Sequence, residues 1–308
     1  MLVTICIASY KRPSGLERLL LGLKELTFKK SDAPNIEVIV VDNDITGSAH
    51  EVCANIEADF PWSLKYCVEE RRGISYARNR AVASRSENTN FLAFIDDDEV
   101  PDKFWLDELL FVQQTYNADI VTGPVIPHFM KSDIPQWVTK GKFFEPRCYP
   151  TGHELEVAAT NNVLICSHAL EQINKFDERF ALTGGEDSHF FMRLKLAGNK
   201  FIWAQEALVH EWIPPTRTTV QWVLQRGYFG WSIHSCCERE LYPSISVISI
   251  RVLKGLALIA KGFCMIFPSV VLGQHALITA LLNVYRGIGT IAGLIGVRYQ
   301  AYKTTHGV

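Results

Sequence analysis

Residues 91–101 read FLAFIDDDEVP, an apolar run that ends on four consecutive acids, Asp96, Asp97, Asp98 and Glu99. Adjacent carboxylates repel one another, and the run before them has the make-up of a buried strand, so the charge needs an offset. A hard divalent ion, Mg2+ or Mn2+, supplies one: it takes one or two carboxylates, retains waters and completes its shell with phosphate oxygens. Such a cluster can join an acidic chain to an anionic diphosphate. The plain alternative is that the acids cap a helix following Pro101.

Two further stretches carry residues of the same chemistry. Asp42 closes the buried-type strand IEVIVVD, where a carboxylate can accept hydrogen bonds from a ribose or a base edge. In RRGISYARNRA, Gly73 releases the chain into a helix whose early turns carry Arg78 and Asn79, suited to bring positive charge to a phosphate. A solvated helix face is the alternative for Arg78. The first strand-to-helix turn, ASYKRPSG, lacks G-x-G-x-x-G, which removes the main support for a dinucleotide oxidoreductase.

The elements that must position these residues follow from periodicity. Short β-rich runs near 2–8, 36–41, 64–68, 91–95 and 118–122 alternate with helical stretches near 14–26, 46–58, 74–86 and 102–115. That alternation predicts an α/β domain with a mostly parallel, Rossmann-like sheet, and in such sheets ligands bind beyond the carboxyl ends of the strands. From about residue 124 to Gly152 a stretch containing Pro, Phe and Trp reads as an irregular substrate-side loop. Order is expected to return with a strand in EVAATNNVLIC, a helix opening at GGEDSHFFMRLKLAG, a strand pair across KFIWAQEALVHEW and a helix after Pro214–Pro215.

Beyond Pro243 the chain becomes far more apolar, in two stretches interrupted by Arg251, Lys254 and Lys261, then by Arg286. At 100° per residue Arg251 and Lys254 lie about 60° apart with Lys261 between them, one basic stripe. This favours a helix lying in a membrane interface with its basic side toward anionic headgroups. Each stretch is also near the ~20 residues that span a bilayer. A buried helical pair, or a homo-oligomer built through these helices, is the alternative, and Gly289 and Gly293 permit close approach in either case. The division expected is 1–240 for the main domain, with a nucleotide-binding half at 1–123 and an acceptor half at 124–240, and 241–308 for the helical appendage.

A chain of 308 residues, 48% hydrophobic, has ample material for a large core. Its formal charge of −2 argues against a general nucleic-acid binder. Met1 runs directly into LVTICIA without a basic n-region, so export is not expected. The eight cysteines form no CxxC pair and read as reduced, packed thiols suited to the cytosol, with Cys236–Cys237 the one unusual spacing.

Taken in order, ASYKRP, VVDN, RGISYARNRA, IDDDEVP and GGEDSHFFMRL resemble the inverting nucleotide-sugar glycosyltransferases of family two, which have the GT-A fold. The resemblance covers roughly residues 1–235. Through WAQEALVHEWIPPTR it is most similar to bacterial transferases that build exopolysaccharide repeat units on lipid carriers, the succinoglycan-type glucosyltransferases among them. It implies that Ser9 and Tyr10 line a base pocket, that Asp42 contacts uracil or ribose and that Arg78 meets the phosphates. It also implies that Asp96 and Asp98 are the DxD pair, with Asp98 the best metal ligand and Asp97 a nearby nucleotide-sugar residue. Asp187 matches the family's general base, preceded by Glu186 on the acceptor side; two helix-N-terminal carboxylates favoured by the dipole are the structural alternative. His210 reads as a metal ligand or a hydrogen-bonded structural residue. Trp222 and Arg226 share a helix face, where an aromatic can stack on sugar and an arginine can pair with phosphate. They stand where processive relatives carry Q-x-x-R-W, which is not reproduced, so addition of a single sugar is expected.

The expected activity is transfer of one sugar from a UDP-sugar to a lipid-linked saccharide, assisted by Mn2+ or Mg2+, at the cytoplasmic face of the inner membrane. Direct transfer onto polyprenyl phosphate is the rival within the fold. A catalytically silent nucleotide-sugar-binding scaffold and a small integral membrane protein with a cytosolic head are rivals of other classes.

Overall fold

A computed structural model describes residues 1–297. In chain order the first half runs β1 (Leu2–Ser9), α1 (Pro13–Lys24), β2 (Asn35–Asp42), α2 (His50–Glu57), β3 (Ser63–Val68), α3 (Ile74–Ser84), β4 (Phe91–Ile95), β5 (Glu99–Pro101) and α4 (Trp105–Tyr116). There follow β6 (Ile120–Thr122), β7 (Val125–Phe129), α5 (Gln136–Lys140), β8 (Asn162–Cys166), α6 (Ser167–Ile173), α7 (Glu186–Leu196), β9 (Phe201–Trp203) and β10 (Val209–Ile213). Three long helices close the described chain: α8 (Val220–Leu241), α9 (Ile245–Leu272) and α10 (Gln274–Leu294).

Seven strands form the main sheet in the order β3-β2-β1-β4-β8-β6-β9. All pair in parallel except β8, which runs antiparallel between β4 and β6. The sheet is covered on both faces, which is why its strands read as continuous apolar runs. Val3, Ile5 and Ile7 of β1 face a core closed by Leu16, Leu19, Leu20 and Leu23 of α1 and by Trp105 and Leu109 of α4. Cys6 faces the other core, with Ala77 and Ala81 of α3 and Phe190, Phe191 and Leu194 of α7. The expected α/β architecture with two apolar C-terminal helices is present.

Several local expectations are corrected. The acids do not run into a helix: after the Asp96–Asp98 turn comes strand β5, and α4 begins only at Trp105. The stretch over 124–152 contains β7 and the short helix α5. β7 was masked by Pro127, which a strand tolerates at a sheet edge, and β7 is an edge of a second sheet ordered β5-β10-β7. β9 and β10 do not pair with each other; β9 joins β6 in the main sheet, while β10 lies between β5 and β7.

In the C-terminal layer α10 packs between α8 and α9. Gly289 and Gly293 do permit close approach, but to the backbone of Tyr228 and Ser232 on α8; Gly287 meets Gly255 of α9. The basic stripe is broken, because Arg251 is buried and donates to Glu238 of α8, leaving Lys254 and Lys261 exposed. α9 and α10 are both long and apolar enough to cross a membrane by length and composition, with mean hydropathies of 2.0 and 1.4. Their burial differs: 17% of the apolar window of α9 is covered, against 56% in α10. All eight cysteines are free thiols, and Cys236 and Cys237 are both buried in α8. Residues 298–308, the end of the appendage expected over 241–308, lie outside the described residues.

Candidate active site

A cleft of about 910 Å³ opens beyond the carboxyl ends of β1 and β4 and is closed on its far side by α7 and α8. Its floor is the acidic turn, whose three aspartates have different surroundings. Asp97 is nearly buried and is consumed by the first strand-to-helix turn. It accepts from Ser9 Oγ at 3.0 Å, from the Tyr10 amide at 3.4 Å and from Arg12 at 2.8 Å. Burial, only partly offset by Arg12, pushes its carboxyl up to about 6. Asp98 accepts from Arg12 at 3.2 Å and from Arg217 at 2.8 Å. Asp96 accepts from Arg78 at 3.1 Å and is the most open of the three, with its side chain 38% exposed.

The opposite wall is the first turn of α7. Gly184 and Gly185 reach it with φ of +71° and +87°, and a Cβ on Gly185 would collide with Ile233 of α8, so no other residue delivers Glu186 and Asp187 here. Glu186 is buried; its Oε1 accepts from Arg78, and its Oε2 has no hydrogen-bond partner among the described residues. Arg78, itself 5% exposed, thus ties the ED turn to Asp96 across the cleft. Asp187 lines the cleft, and its Oδ1 accepts from its neighbour's amide, Ser188 N, at 2.6 Å.

At the other end Tyr10 lines the cleft with the Arg72 guanidinium 4.7 Å from its ring centroid. Gly73 holds φ +147° where a Cβ would press on the Ala181 carbonyl at 2.9 Å, and this contact seats α3. Asp42 is not where a base contact requires it. It is fully buried and accepts from the Asp44 and Ala49 amides at 3.0 and 2.7 Å and from the Tyr66 hydroxyl at 3.2 Å. Its role is to fold the loop after β2. The cleft residue at this position is Asn43, whose amide donates to the Glu69 and Arg71 carbonyls and whose Oδ1 accepts from the Gly73 amide.

His210 is likewise not brought to the acidic turn. It pairs in register with Val100, which packs on α1, whereas Glu211 pairs with Glu99 and lines the cleft. Strand alternation therefore presents Glu211. Trp222 and Arg226 both line the cleft from α8; Trp222 stacks on Phe144 with centroids 5.7 Å apart, and Arg226 lies over Phe229. Sequence reasoning overlooked Arg12, Arg72, Glu211 and Arg217. The signal for Glu211 was the two-residue period of VHEWI; the arginines lie in YKRP, RRG and PPTR, where composition alone does not distinguish them.

The donor set suits a hard divalent ion. Asp96, Asp98 and Glu211 offer oxygens to the cleft, and Glu99 behind them is held well above the usual carboxylate range by burial and by Asp96, Glu211 and Asp98. These carboxylates, separated by arginines, form no closed triad. The triad that the described residues do form, Asp177, His189 and Glu240, lies behind α7, with Arg179 bridging its two carboxylates. Two cleft carboxylates, with room in the cleft for further oxygens, match the donor set that Mg2+ usually takes.

Burial, opposed by Arg78 and reinforced by Asp187, lifts Glu186 from 4.5 to about 7. Between those values the folded chain keeps a proton that the unfolded chain has released, so this group's contribution to stability falls as pH rises across the window. Relative to the unaltered protein, Glu186→Gln is expected to melt progressively higher from about pH 5 to about pH 8. An offset independent of pH would remove the assignment.

Comparisons with known proteins bear on the fold and the family. The model of glycosyl transferase family 2 matches residues 4–180. The succinoglycan biosynthesis protein ExoM of Rhizobium meliloti is 28% identical over 302 residues, spanning 96% of this chain and 94% of ExoM. The glycosyltransferase AglE of Haloferax volcanii is 23% identical over 67% of this chain and 65% of its own. Among solved structures, S. aureus TarS 1–349 in complex with UDP superposes with a TM-score of 0.54 at 16% identity, covering 94% of this chain and 90% of that one. The same protein in complex with UDP-GlcNAc gives a TM-score of 0.55. The family match covers more than half of the chain and takes in the acidic turn and Arg78, so the chain belongs to glycosyltransferase family 2.

Proposed function

We propose that this glycosyltransferase moves one sugar, with inversion, from a UDP-sugar to a lipid-linked saccharide during bacterial polysaccharide assembly. The observation that carries the reading is the convergence of the acidic turn after β4 and the ED turn of α7 on one cleft, joined by Arg78. The name of ExoM as a succinoglycan biosynthesis protein and the UDP and UDP-GlcNAc complexes of TarS support the pathway class and the donor class.

In this reading Tyr10, Asn43 and Arg72 receive the nucleoside, and Trp222 and Arg226 guide the acceptor. Asp187 takes the proton from the acceptor hydroxyl as it attacks the anomeric carbon from the face opposite the leaving diphosphate. Arg78 opposes the upward push of burial on Glu186 and fixes the turn on which Asp187 stands. Mn2+ or Mg2+, held by Asp98 and Asp96 with Glu211 beside them, would neutralise charge on the diphosphate. A donor screen reading UDP release tests the reading, run with a lipid-linked saccharide pool or bare polyprenyl phosphate, and with or without Mn2+ or Mg2+. Release only with the lipid-linked saccharide is expected. Release with bare lipid phosphate would move the acceptor assignment, and no release with any donor would overturn it.

The same reading puts the enzyme on the cytoplasmic face of the membrane through α9, whose tip exposes Phe267, Val270 and Val271 at 83–90%. No charged residue occurs between Lys261 and Arg286. Each such side chain transferred into lipid contributes roughly 1.5–3 kcal/mol, so Phe267→Asp with Val271→Asp is expected to lower binding to anionic vesicles more than tenfold. Flotation unchanged in the double variant would refute this placement.

A further inference from the structure

Arg217 joins two cleft carboxylates: its Nη1 donates to Glu211 Oε1 at 2.6 Å and its Nη2 to Asp98 Oδ2 at 2.8 Å. We propose that Arg217 is an exchangeable counter-ion. It neutralises Asp98 and Glu211 while the cleft is empty of metal, yields them to the divalent ion, and then binds the donor's diphosphate. The proposal rests on the nucleotide-sugar reading above and adds a residue that neither the motifs nor the family resemblance singled out.

Three features carry it. Asp98 Oδ2 is taken by Arg217, and by Arg12 at longer distance, so an ion that binds Asp98 through this oxygen competes with a guanidinium for a single atom. A dication on Asp98 would also repel a guanidinium a few ångströms away, which drives the exchange. The second arginine on Asp98 is Arg12, whose Nη1 is anchored at 2.8 Å to the nearly buried Asp97 at the head of α1. Arg217 differs in that it pairs with two cleft carboxylates, Asp98 and Glu211.

Its backbone belongs to a single 3-10 turn, Pro215–Arg217, ahead of Thr219, whose side chain caps α8 by accepting from the Trp222 amide. That turn lines the cleft, so the side chain can stay within it while changing partner. A guanidinium presents a planar fork that matches two phosphate oxygens as well as two carboxylates, whereas an ammonium does not. One consequence is mutual assistance: the ion binds weakly alone because it must displace Arg217, and strongly with the nucleotide because Arg217 then has a new partner.

The test measures Mn2+ binding by the disappearance of the free-ion paramagnetic signal, first with protein alone and then with UDP titrated at saturating Mn2+. Arg217→Ala is expected to bind Mn2+ alone about tenfold more tightly and UDP with Mn2+ at least about tenfold more weakly. Arg217→Lys keeps the charge and loses the fork. It is expected to bind Mn2+ like the unaltered protein and UDP more weakly, which separates exchange from a folding defect. Mn2+ affinity unchanged or reduced in Arg217→Ala would overturn the exchange, and unchanged UDP affinity would overturn the diphosphate contact, while leaving the proposed function intact. Absence of Mn2+ and Mg2+ uptake by the unaltered protein, with or without UDP, would overturn the metal reading and this proposal together.

Discussion

Replacing Asp187 with asparagine is expected to lower kcat about a thousandfold while leaving donor affinity within about threefold, because a positioned general base contributes roughly 10²–10⁴-fold. The substitution leaves the fold alone. The Oδ1 that accepts from the Ser188 amide at 2.6 Å is retained as an amide oxygen, and the two glycines that bring the turn into the cleft are untouched. Only the capacity to take a proton is removed. Initial rates with a fixed acceptor and varied UDP-sugar, together with UDP binding in the absence of acceptor, separate the two quantities. A variant that turns over at the unaltered rate would end the base assignment. One that loses donor affinity in proportion to rate would place Asp187 in donor binding.

The largest effect on stability is expected from Arg78→Ala, at about 3–5 kcal/mol, the usual consequence of leaving one member of a buried ion pair without its partner. Glu186 is 1% exposed and accepts from Arg78, so in the variant it either carries a bare buried charge or holds its proton above the value of about 7 it has beside Arg78. The thermodynamic cycle makes this specific. Arg78→Ala combined with Glu186→Gln is expected to recover at least half of the loss, because the amide has no charge to bury. Denaturant unfolding of the four proteins at a fixed pH gives the coupling energy. Additive losses would show that Arg78 acts through packing and through Asp96 alone.

Much of the fold is readable in the chain because its causes are local. Leu16, Leu19, Leu20 and Leu23 recur at helical spacing and all four are buried in α1. Within IEVIVVD the residues Val38, Ile39, Val40 and Val41 run apolar without a break because β2 is covered on both faces, and the strand ends at Asp42 as its pattern requires. The order of motifs along the chain also places the acidic turn at a strand end and the ED pair at a helix start. What periodicity could not supply was pairing. VIPHF becomes a strand only because β10 lies beside it, and β10 leaves β9 for a separate sheet.

The candidate site divides in the same way. Residue type and position along the chain brought Asp96, Asp98, Glu186, Asp187, Arg78, Tyr10, Trp222 and Arg226 to one cleft. Tertiary structure alone turned Asp42 inward onto the amides of its own loop and selected Glu211 over His210 by the register of β10 with β5. It also set Arg12 and Arg217 on Asp98, from 86 and 119 residues away. Helix and strand periods are set by neighbours a few residues apart and are therefore written in the sequence. The partner of a charge is set by which distant segments share the space around it, and that is decided only when the chain is folded.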